Sequence, residues 1–230
     1  MAIDKINKNN RKLRSRRPRS KNKQQDQRLS KLENMLKKTV ETKIKDYYST
    51  APLSASANFA NSGFFTGDVG ADGDERIGRQ VNMLSQSFTY NFRIPDGSTS
   101  PQATIRLIAV EALDGNEQLL ATDVLQFASV SDRMAIVSPY QSNKVITNKG
   151  YKVLYDKVLD LNKNSSQSAS GHINVQYGTK NNRGKVVDFS GFPGSSTAMN
   201  HRLNVFAIAD MDGSGQVDMT YACRTRYQDC

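Results

Sequence analysis

The sequence predicts an all-β protein, an antiparallel sandwich or barrel of about seven or eight strands, behind a strongly basic N-terminal region. Three observations support this prediction. From about residue 79 onward, apolar residues recur at every second position in short runs, the pattern of strands with one buried face. Clusters of Gly, Pro, Asn, Asp and Ser separate these runs, as expected for turns. The excess positive charge is confined to the beginning of the chain.

That charge is divided unevenly between the first 38 residues and the rest. The 230-residue chain has a formal net charge of +10. Residues 1–38 contain 14 Lys or Arg and 3 Asp or Glu, a net of +11, and the remaining residues contain 18 and 19, a net of −1. Such segregation favours a dedicated polyanion-binding segment over a generally basic domain.

Residues 1–25 are predicted to form a disordered basic arm, because they are mainly Lys, Arg, Asn, Gln and Ser with little apolar surface to bury. Residues 11–23 alone contain eight Lys or Arg and no carboxylate. A segment that neutralises several phosphates at once releases their counterions, so we expect the arm to bind nucleic acid. The candidate nucleic-acid-binding residues are Arg11, Lys12, Arg14, Arg16, Arg17, Arg19, Lys21, Lys23 and Arg28.

The arm is expected to contact phosphates rather than bases. No aromatic residue occurs within residues 1–46, so base stacking is not available there. Binding should therefore follow the backbone and ignore the base sequence. The alternatives for the same residues are a solvated tail and a nuclear-import signal.

Residues 26–48 are predicted to form one amphipathic helix, with Asp26 as its N-cap and Pro52 preventing much continuation. Apolar residues at steps of three and four form a narrow stripe. Because the helix is isolated in sequence, this stripe is expected to pack on another copy of the chain or on the body. The candidate oligomerisation residues are Leu29, Leu32, Leu36, Val40 and Ile44.

Residues 49–78 are predicted to be a linker of small and polar residues, and residues 79–230 the strand-rich domain. Alternation is clear at Phe88, Tyr90, Phe92 and Ile94, and again at Ile105, Leu107 and Ala109. The segment 116–129 departs from this period. Its apolar residues have near-helical spacing, which predicts a short helix within a long loop.

Nothing in the sequence indicates an enzyme. There is no nucleophile elbow, phosphate-binding Gly-Lys loop or paired-His motif. His172 and His201 are predicted to be surface or edge residues. Cys223 and Cys230 provide neither a disulfide framework nor a zinc site, which favours synthesis in a reducing intracellular compartment. No stretch of 18 apolar residues and no apolar region behind the N-terminal charges occurs, so neither a membrane span nor a secretion signal is expected.

Two acidic segments could be considered for metal binding, and neither leads us to predict a metal site. Asp210, Asp212, Ser214 and Asp218 match part of a calcium loop, but Tyr221 occupies the position of its bidentate Glu. A β-hairpin turn is expected there instead. The segment 67–75 has four carboxylates, and a solvated acidic loop is expected.

The order of arm, helix, linker and strand-rich body resembles the single jelly-roll coat proteins of small T=1 icosahedral viruses, a family that includes those of satellite tobacco necrosis virus and of circular single-stranded DNA viruses. Residues 73–92, "GDERIGRQVNMLSQSFTYNF", look like the family's entry into its first strand. Residues 105–118, "IRLIAVEALDGNEQ", look like the second strand, and residues 151–162, "YKVLYDKVLDLN", like a later one. The resemblance implies an eight-stranded antiparallel jelly-roll sandwich for the body.

The resemblance also implies function: a capsid protein whose sixty copies form a T=1 shell, with the arm inside binding a single-stranded DNA or RNA genome. It implies that the helix bundles with its symmetry mates. Some relatives hold calcium between subunits, but Ala71 stands where one such carboxylate is expected and Ile77 where a Ser is expected, so the metal is not carried over. The protein is expected in the virion after synthesis in the host cytoplasm, with import into the host nucleus left open. The alternatives are a cellular nucleic-acid-binding protein with a basic tail on a β-sandwich, and a trimeric jelly-roll lectin or cytokine-like ligand.

Overall fold

The computed structural model describes residues 23–32, 41–53, 59–61, 70, 75–113, 119–126, 133–141, 150–178, 184–189, 198–210 and 216–229. The chain divides into two units, Met1–Glu41 and Thr42–Cys230. In the first unit, residues 23–32 form helix α1. None of the helices in these described parts is long and apolar enough to span a membrane.

The described residues of the second unit form nine strands. They are β1 (Lys43–Leu53), β2 (Phe59–Asn61), β3 (Gln80–Arg93), β4 (Gln102–Ala112), β5 (Tyr151–Asn162), β6 (Ser168–Gln176), β7 (Lys185–Asp188), β8 (Arg202–Ala209) and β9 (Val217–Asp229). The connection between β4 and β5 contains the short helix α2 (Ala121–Val124) and a 3-10 helix (Arg133–Ile136). Helix α2 confirms the helix predicted within residues 116–129.

The strands form two antiparallel sheets with jelly-roll topology. Sheet A has the order β1-β9-β3-β6, with β7 also paired to β3, and sheet B has the order β2-β8-β4-β5. The pairs β1/β9, β2/β8, β3/β6 and β4/β5 are all antiparallel, so the first strands pair with the last and the middle strands with each other. This nesting is that of a long hairpin rolled into a double sheet, which confirms the predicted all-β jelly-roll sandwich.

The main core lies between the two sheets and comes from the period-2 alternation. On β3, the side chains of Phe88, Tyr90 and Phe92 are at most 2% exposed. They lie opposite Cys223, Tyr221 and Met219 of β9, respectively, which are also buried. Each fully buried apolar side chain of this size contributes about 1.5–3 kcal/mol to the transfer term of folding.

A second apolar cluster lies on the outer face of sheet B. Ile108 and Val110 of β4 and Phe206 of β8 pack there against Val124 of α2 and Ala135 of the 3-10 helix. The long β4–β5 connection therefore covers sheet B, whereas no such cluster covers the outer face of sheet A in the described residues.

The predicted helix over residues 26–48 is wrong for residues 43–48, and residues 33–40 lie outside the described residues. Residues 23–25 are already helical, so Asp26 lies inside α1 and is not an N-cap. Residues 43–48 belong to β1, where burial alternates with period 2 and all eleven residues of Lys43–Leu53 pair with β9. The β-branched and aromatic residues of this segment suit a strand, and pairing along an eleven-residue strand outweighs the helical spacing.

The predicted domain boundaries also change. The 49–78 linker contains the end of β1 and all of β2, so the sheet-containing unit begins at Thr42 and not at residue 79. Residues 73–92, compared above with a first strand, lead instead into β3. Likewise, residues 105–118 begin within β4.

The expected hairpin turn at residues 210–218 is also corrected. It joins β8 in sheet B to β9 in sheet A, so it crosses between the two sheets rather than closing a hairpin within one.

Candidate nucleic-acid interface

Two of the nine predicted nucleic-acid-binding residues lie in the described part of the chain. Lys23 and Arg28 are both exposed residues of helix α1. The other seven, Arg11, Lys12, Arg14, Arg16, Arg17, Arg19 and Lys21, lie outside the described residues.

Helix α1 places its cations and its leucines on different arcs. At about 100° per residue, Lys23, Arg28 and Lys31 span roughly 140° of the helix circumference, and Leu29 and Leu32 project from the neighbouring arc. The leucines are 57% and 55% exposed. This amphipathic arrangement leaves one arc suited to phosphates and another with apolar surface.

The predicted oligomerisation residues are therefore divided among three places. Leu29 and Leu32 are in α1, while Leu36 and Val40 lie outside the described residues. Ile44 is in β1, where it is 43% exposed on the outer face of sheet A. It cannot belong to the helical stripe.

Several cations of the sheet unit are engaged in ion pairs. Lys43 Nζ lies 2.9 Å from Asp229, and Arg224 donates two hydrogen bonds to Asp46, at 2.8 and 2.7 Å. The hydrogen bond from Arg224 is the main reason that the pKa of Asp46 is lowered, and its charge adds to the effect. This internal pairing agrees with a net charge near zero for the chain after residue 38.

Another pair with a buried cation joins Arg106 of β4 to Asp156 of β5, with Nη2 2.7 Å from Oδ2. Burial raises the pKa of Asp156, but hydrogen bonds from Arg106 and Tyr140 outweigh it, so the pKa is lowered. The prediction from sequence missed this pair. Its only sequence signal is an Arg within an otherwise apolar run, "ATIRLIAV".

A second polar cluster lies at one end of the sandwich. Glu111 of β4 is 3% exposed and accepts hydrogen bonds from Lys185 Nζ at 2.5 Å, and it lies 2.8 Å from His201 Nδ1. Lys185 belongs to sheet A, so the cluster connects the two sheets. Tyr177 lies beside it, and burial together with the charge of Glu111 raises the pKa of that phenol.

The two histidines have different environments. His172 is exposed on β6, an edge strand of sheet A, as predicted. His201 is only 23% exposed and has a φ of 53°, the left-handed region that residues other than glycine rarely adopt. It is therefore a partly buried contact of Glu111 and not a surface residue.

The described residues contain no group of three or more His, Cys, Asp or Glu side chains placed to hold a metal ion. Of the acidic segment 67–75, only Gly70 and Glu75 are described, and residues 211–215 of the other acidic segment also lie outside.

Sequence reasoning also missed an exposed aromatic ring on β1, an edge strand of sheet A. Tyr48, at 83%, is the most exposed large apolar residue in the described part of the chain. It lies on β1, opposite Ala222 of β9. The signal that could have found it is the tyrosine pair Tyr47–Tyr48, because adjacent strand residues point to opposite faces.

Comparison with known proteins shows little sequence relationship. No protein-family model matches the chain, and no curated protein matches it. Among solved structures, the chain is similar to one described as Desmodium yellow mottle tymovirus, with 9% sequence identity and a TM-score of 0.39 over 82% of this chain and 89% of that one.

Proposed function

We propose that this chain is a viral capsid protein that assembles with copies of itself into a closed T=1 shell and packages single-stranded nucleic acid through its basic N-terminal segment. The observation that carries the proposal is the separation of a +11 segment, residues 1–38, from a body of net charge −1. The body folds as a jelly roll, an architecture used by viral capsids and also by lectins.

The charge distribution favours a capsid protein over a lectin. A lectin has no need of a cationic segment, whereas a shell must neutralise the phosphates that it encloses. Sixty copies carrying +11 each would bring on the order of 660 positive charges inside one particle, each able to displace a counterion. A nearly neutral body limits repulsion between neighbouring subunits.

Helix α1 supplies a contact element for assembly. Leu29 and Leu32 are more than half exposed, and a helix with an unburied apolar arc is stabilised by packing against a partner. We therefore assign self-association to this helix and phosphate binding to the cations on its other arc. The residues before it, Arg11 to Lys21, extend the same phosphate-binding role.

The test is to express the full chain and examine it by negative-stain electron microscopy, while measuring nuclease-protected nucleic acid in purified particles. Uniform closed particles containing nucleic acid are expected. Isolated monomers or trimers would contradict the proposal, the first favouring a cellular nucleic-acid-binding protein and the second a lectin-like ligand.

Two variants make the packaging measurement sharper. Changing Arg11, Arg14, Arg16, Arg17 and Arg19 to Gln removes five positive charges, and changing the same residues to Lys keeps them. Protected nucleic acid should fall in the Gln variant and persist in the Lys variant. Equal packaging by both would show that the charge of this segment is not what holds the genome.

A further inference from the structure

The outer face of sheet A is the open face of the sandwich in the described residues, since the second apolar cluster covers sheet B. Alternation places every second residue of β1, β9, β3 and β6 on it. One row runs across all four strands: Tyr48, Ala222, Thr89 and His172 are paired in register. At about 4.8 Å between strands, this row is roughly 14 Å long.

Tyr48 is the large and highly exposed aromatic residue of this row. Its neighbour in sequence, Tyr47, points inward and packs on Tyr221 with ring centroids 6.1 Å apart. Tyr48 itself is 83% exposed although it lies in the middle of an eleven-residue strand. Its partner in register is Ala222, so no large side chain stands opposite it. An aromatic ring presented on a sheet beside small residues is suited to stacking with a planar ligand.

The charges around the ring leave one arginine, Arg226, for an anionic ligand, because Arg224 and Asp46 neutralise one another. Arg224 and Arg226 follow Ala222 on the same face of β9, and both are exposed. The carboxylate nearest to Tyr48 in sequence, Asp46, is neutralised by the two hydrogen bonds from Arg224. On this face, Arg224 lies in the row next to that of Tyr48. Arg226 lies opposite Ile44, in the row after that.

The remaining side chains make an apolar protein partner a poor fit. Thr50, Thr89, Asn91 and Asn174 are polar and uncharged; they can donate to phosphates, and they can donate to or accept from base edges. The other large apolar residues exposed on the described part of this face are Ile44, at 43%, and Val186 of β7, at 47%. Val186 lies opposite Asn82, seven residues along β3 from the row of Tyr48. A stacking aromatic, a nearby arginine and hydrogen-bonding neighbours are the components of a surface for single-stranded nucleic acid.

We propose that the outer face of sheet A is a second nucleic-acid site, on which an unpaired base stacks on Tyr48 while the adjoining phosphates lie near Arg226. This inference rests on the proposed packaging function and adds a contact that the arm cannot make, because residues 1–46 contain no aromatic ring. The arm would supply sequence-independent attraction, and Tyr48 a preference for unpaired bases.

The test compares two probes on the full-length protein: an oligothymidylate of about 16 nucleotides and an abasic oligonucleotide of equal length. Both carry the same number of phosphates, so binding by charge alone treats them alike. We expect the oligothymidylate to bind about 5- to 150-fold more tightly, the range for loss of one stacked base. Tyr48→Thr should remove most of this preference, and Tyr48→Phe, which retains the ring, should keep it.

Two controls make the result specific. Val137→Ser changes a 77% exposed residue on the connection that covers sheet B, and it should leave the preference unchanged. Tyr48→Thr should also leave the salt dependence of binding unchanged, because it removes no charge.

Equal affinity of the unsubstituted protein for both probes would overturn this inference and leave the proposed function standing. Failure to bind either probe would overturn both. If Tyr48→Thr abolishes particle formation but keeps the preference for oligothymidylate, the face contacts a second copy of the chain and not a base, which also overturns the inference.

Discussion

Arg106 and Asp156 form a two-point ion pair that joins the neighbouring strands β4 and β5 beneath the long connection between them. Arg106 Nε donates to Asp156 Oδ1 at 3.0 Å and Nη2 donates to Oδ2 at 2.7 Å. The third nitrogen, Nη1, donates to the backbone carbonyls of Ala135, Ile136 and Ser138. One guanidinium therefore fixes the 3-10 helix and the residues after it to sheet B.

Removing the carboxylate of this pair should strongly destabilise the fold. Asp156→Ala leaves the Arg106 guanidinium, whose side chain is 8% exposed, without its counter-charge. We expect a loss of about 3 kcal/mol in the free energy of unfolding, the usual cost of leaving one half of a buried pair alone. Urea denaturation measures this change.

The exposed pair between Arg224 and Asp46 provides the matched control. Both side chains are about half exposed, so Asp46→Ala should have a much smaller effect. Similar losses for Asp156→Ala and Asp46→Ala would contradict the anchoring role assigned to Arg106.

The absence of a side chain at Gly171 is expected to leave the space that Tyr90 needs in the core. The two residues are paired in register between β6 and β3, and a Cβ on Gly171 would lie 2.5 Å from the Tyr90 hydroxyl. That hydroxyl is held 2.9 Å from the hydroxyl of Tyr155 on sheet B, which restricts its movement. Gly171→Ala should therefore cost about 1–3 kcal/mol of stability through overpacking.

Gly97→Ala is the control for that substitution, because a Cβ at Gly97 would meet no atom within 4 Å. Thermal unfolding of the two variants should show a clear fall in Tm for Gly171→Ala and little change for Gly97→Ala. An unchanged Tm in both would mean that Tyr90 can move aside without penalty.

The Cys223 thiol should be inert in the folded protein. It is 1% exposed, and burial raises its pKa to about 12 from an ordinary value of 9.0. Because the folded pKa is raised, the stabilising effect of the neutral thiol is present below about pH 9 and is lost as the pH rises toward 12. In a Cys230→Ser variant, a thiol reagent at pH 8 should react slowly with the folded chain and rapidly in denaturant; fast reaction without denaturant would disprove burial of Cys223.

Introducing charge on the apolar arc of α1 should impair assembly without unfolding the sheets. Leu29→Asp places a carboxylate where we expect a second copy of the helix to pack, so particle yield should fall. Ser30→Asp adds the same charge at the next position of the same helix, on a different arc, and should assemble normally. Sucrose-gradient sedimentation would measure both yields, and normal assembly of Leu29→Asp would exclude this arc from the contact.

The sequence was a good guide where burial follows local alternation. The strands from β3 onward were predictable because residues such as Phe88, Tyr90 and Phe92 alternate strictly with polar neighbours. Strand β1 was not, because Ile44 continues the helical spacing begun at Leu29, and its strand conformation depends on pairing with β9 at the other end of the chain. Long-range pairing of this kind leaves no local signal.

The two candidate nucleic-acid sites also differ in how far the sequence could predict them. The cationic segment is a property of composition and could be recognised from sequence alone. The row that joins Tyr48 to His172 exists only because four strands distant in sequence are brought side by side. The same holds for the contact of Glu111 with Lys185, which depends on the packing of one sheet on the other.

Removing the basic arm should weaken nucleic-acid binding without unfolding the sheets. Deleting residues 1–22 removes nine Lys or Arg and Asp4, a net loss of eight positive charges, and leaves helix α1 intact. The sheet unit should retain its Tm, since its core clusters are formed by residues of that unit alone. Affinity for a single-stranded oligonucleotide should fall, and the slope of log affinity against log salt should decrease by about 0.7 for each phosphate that the shortened protein no longer neutralises. The fall should be the same for oligonucleotides of different sequence, because the deleted residues bind phosphates and not bases. An unchanged salt slope would place the main phosphate-binding residues on the folded body, and the arm would then have to be assigned another role.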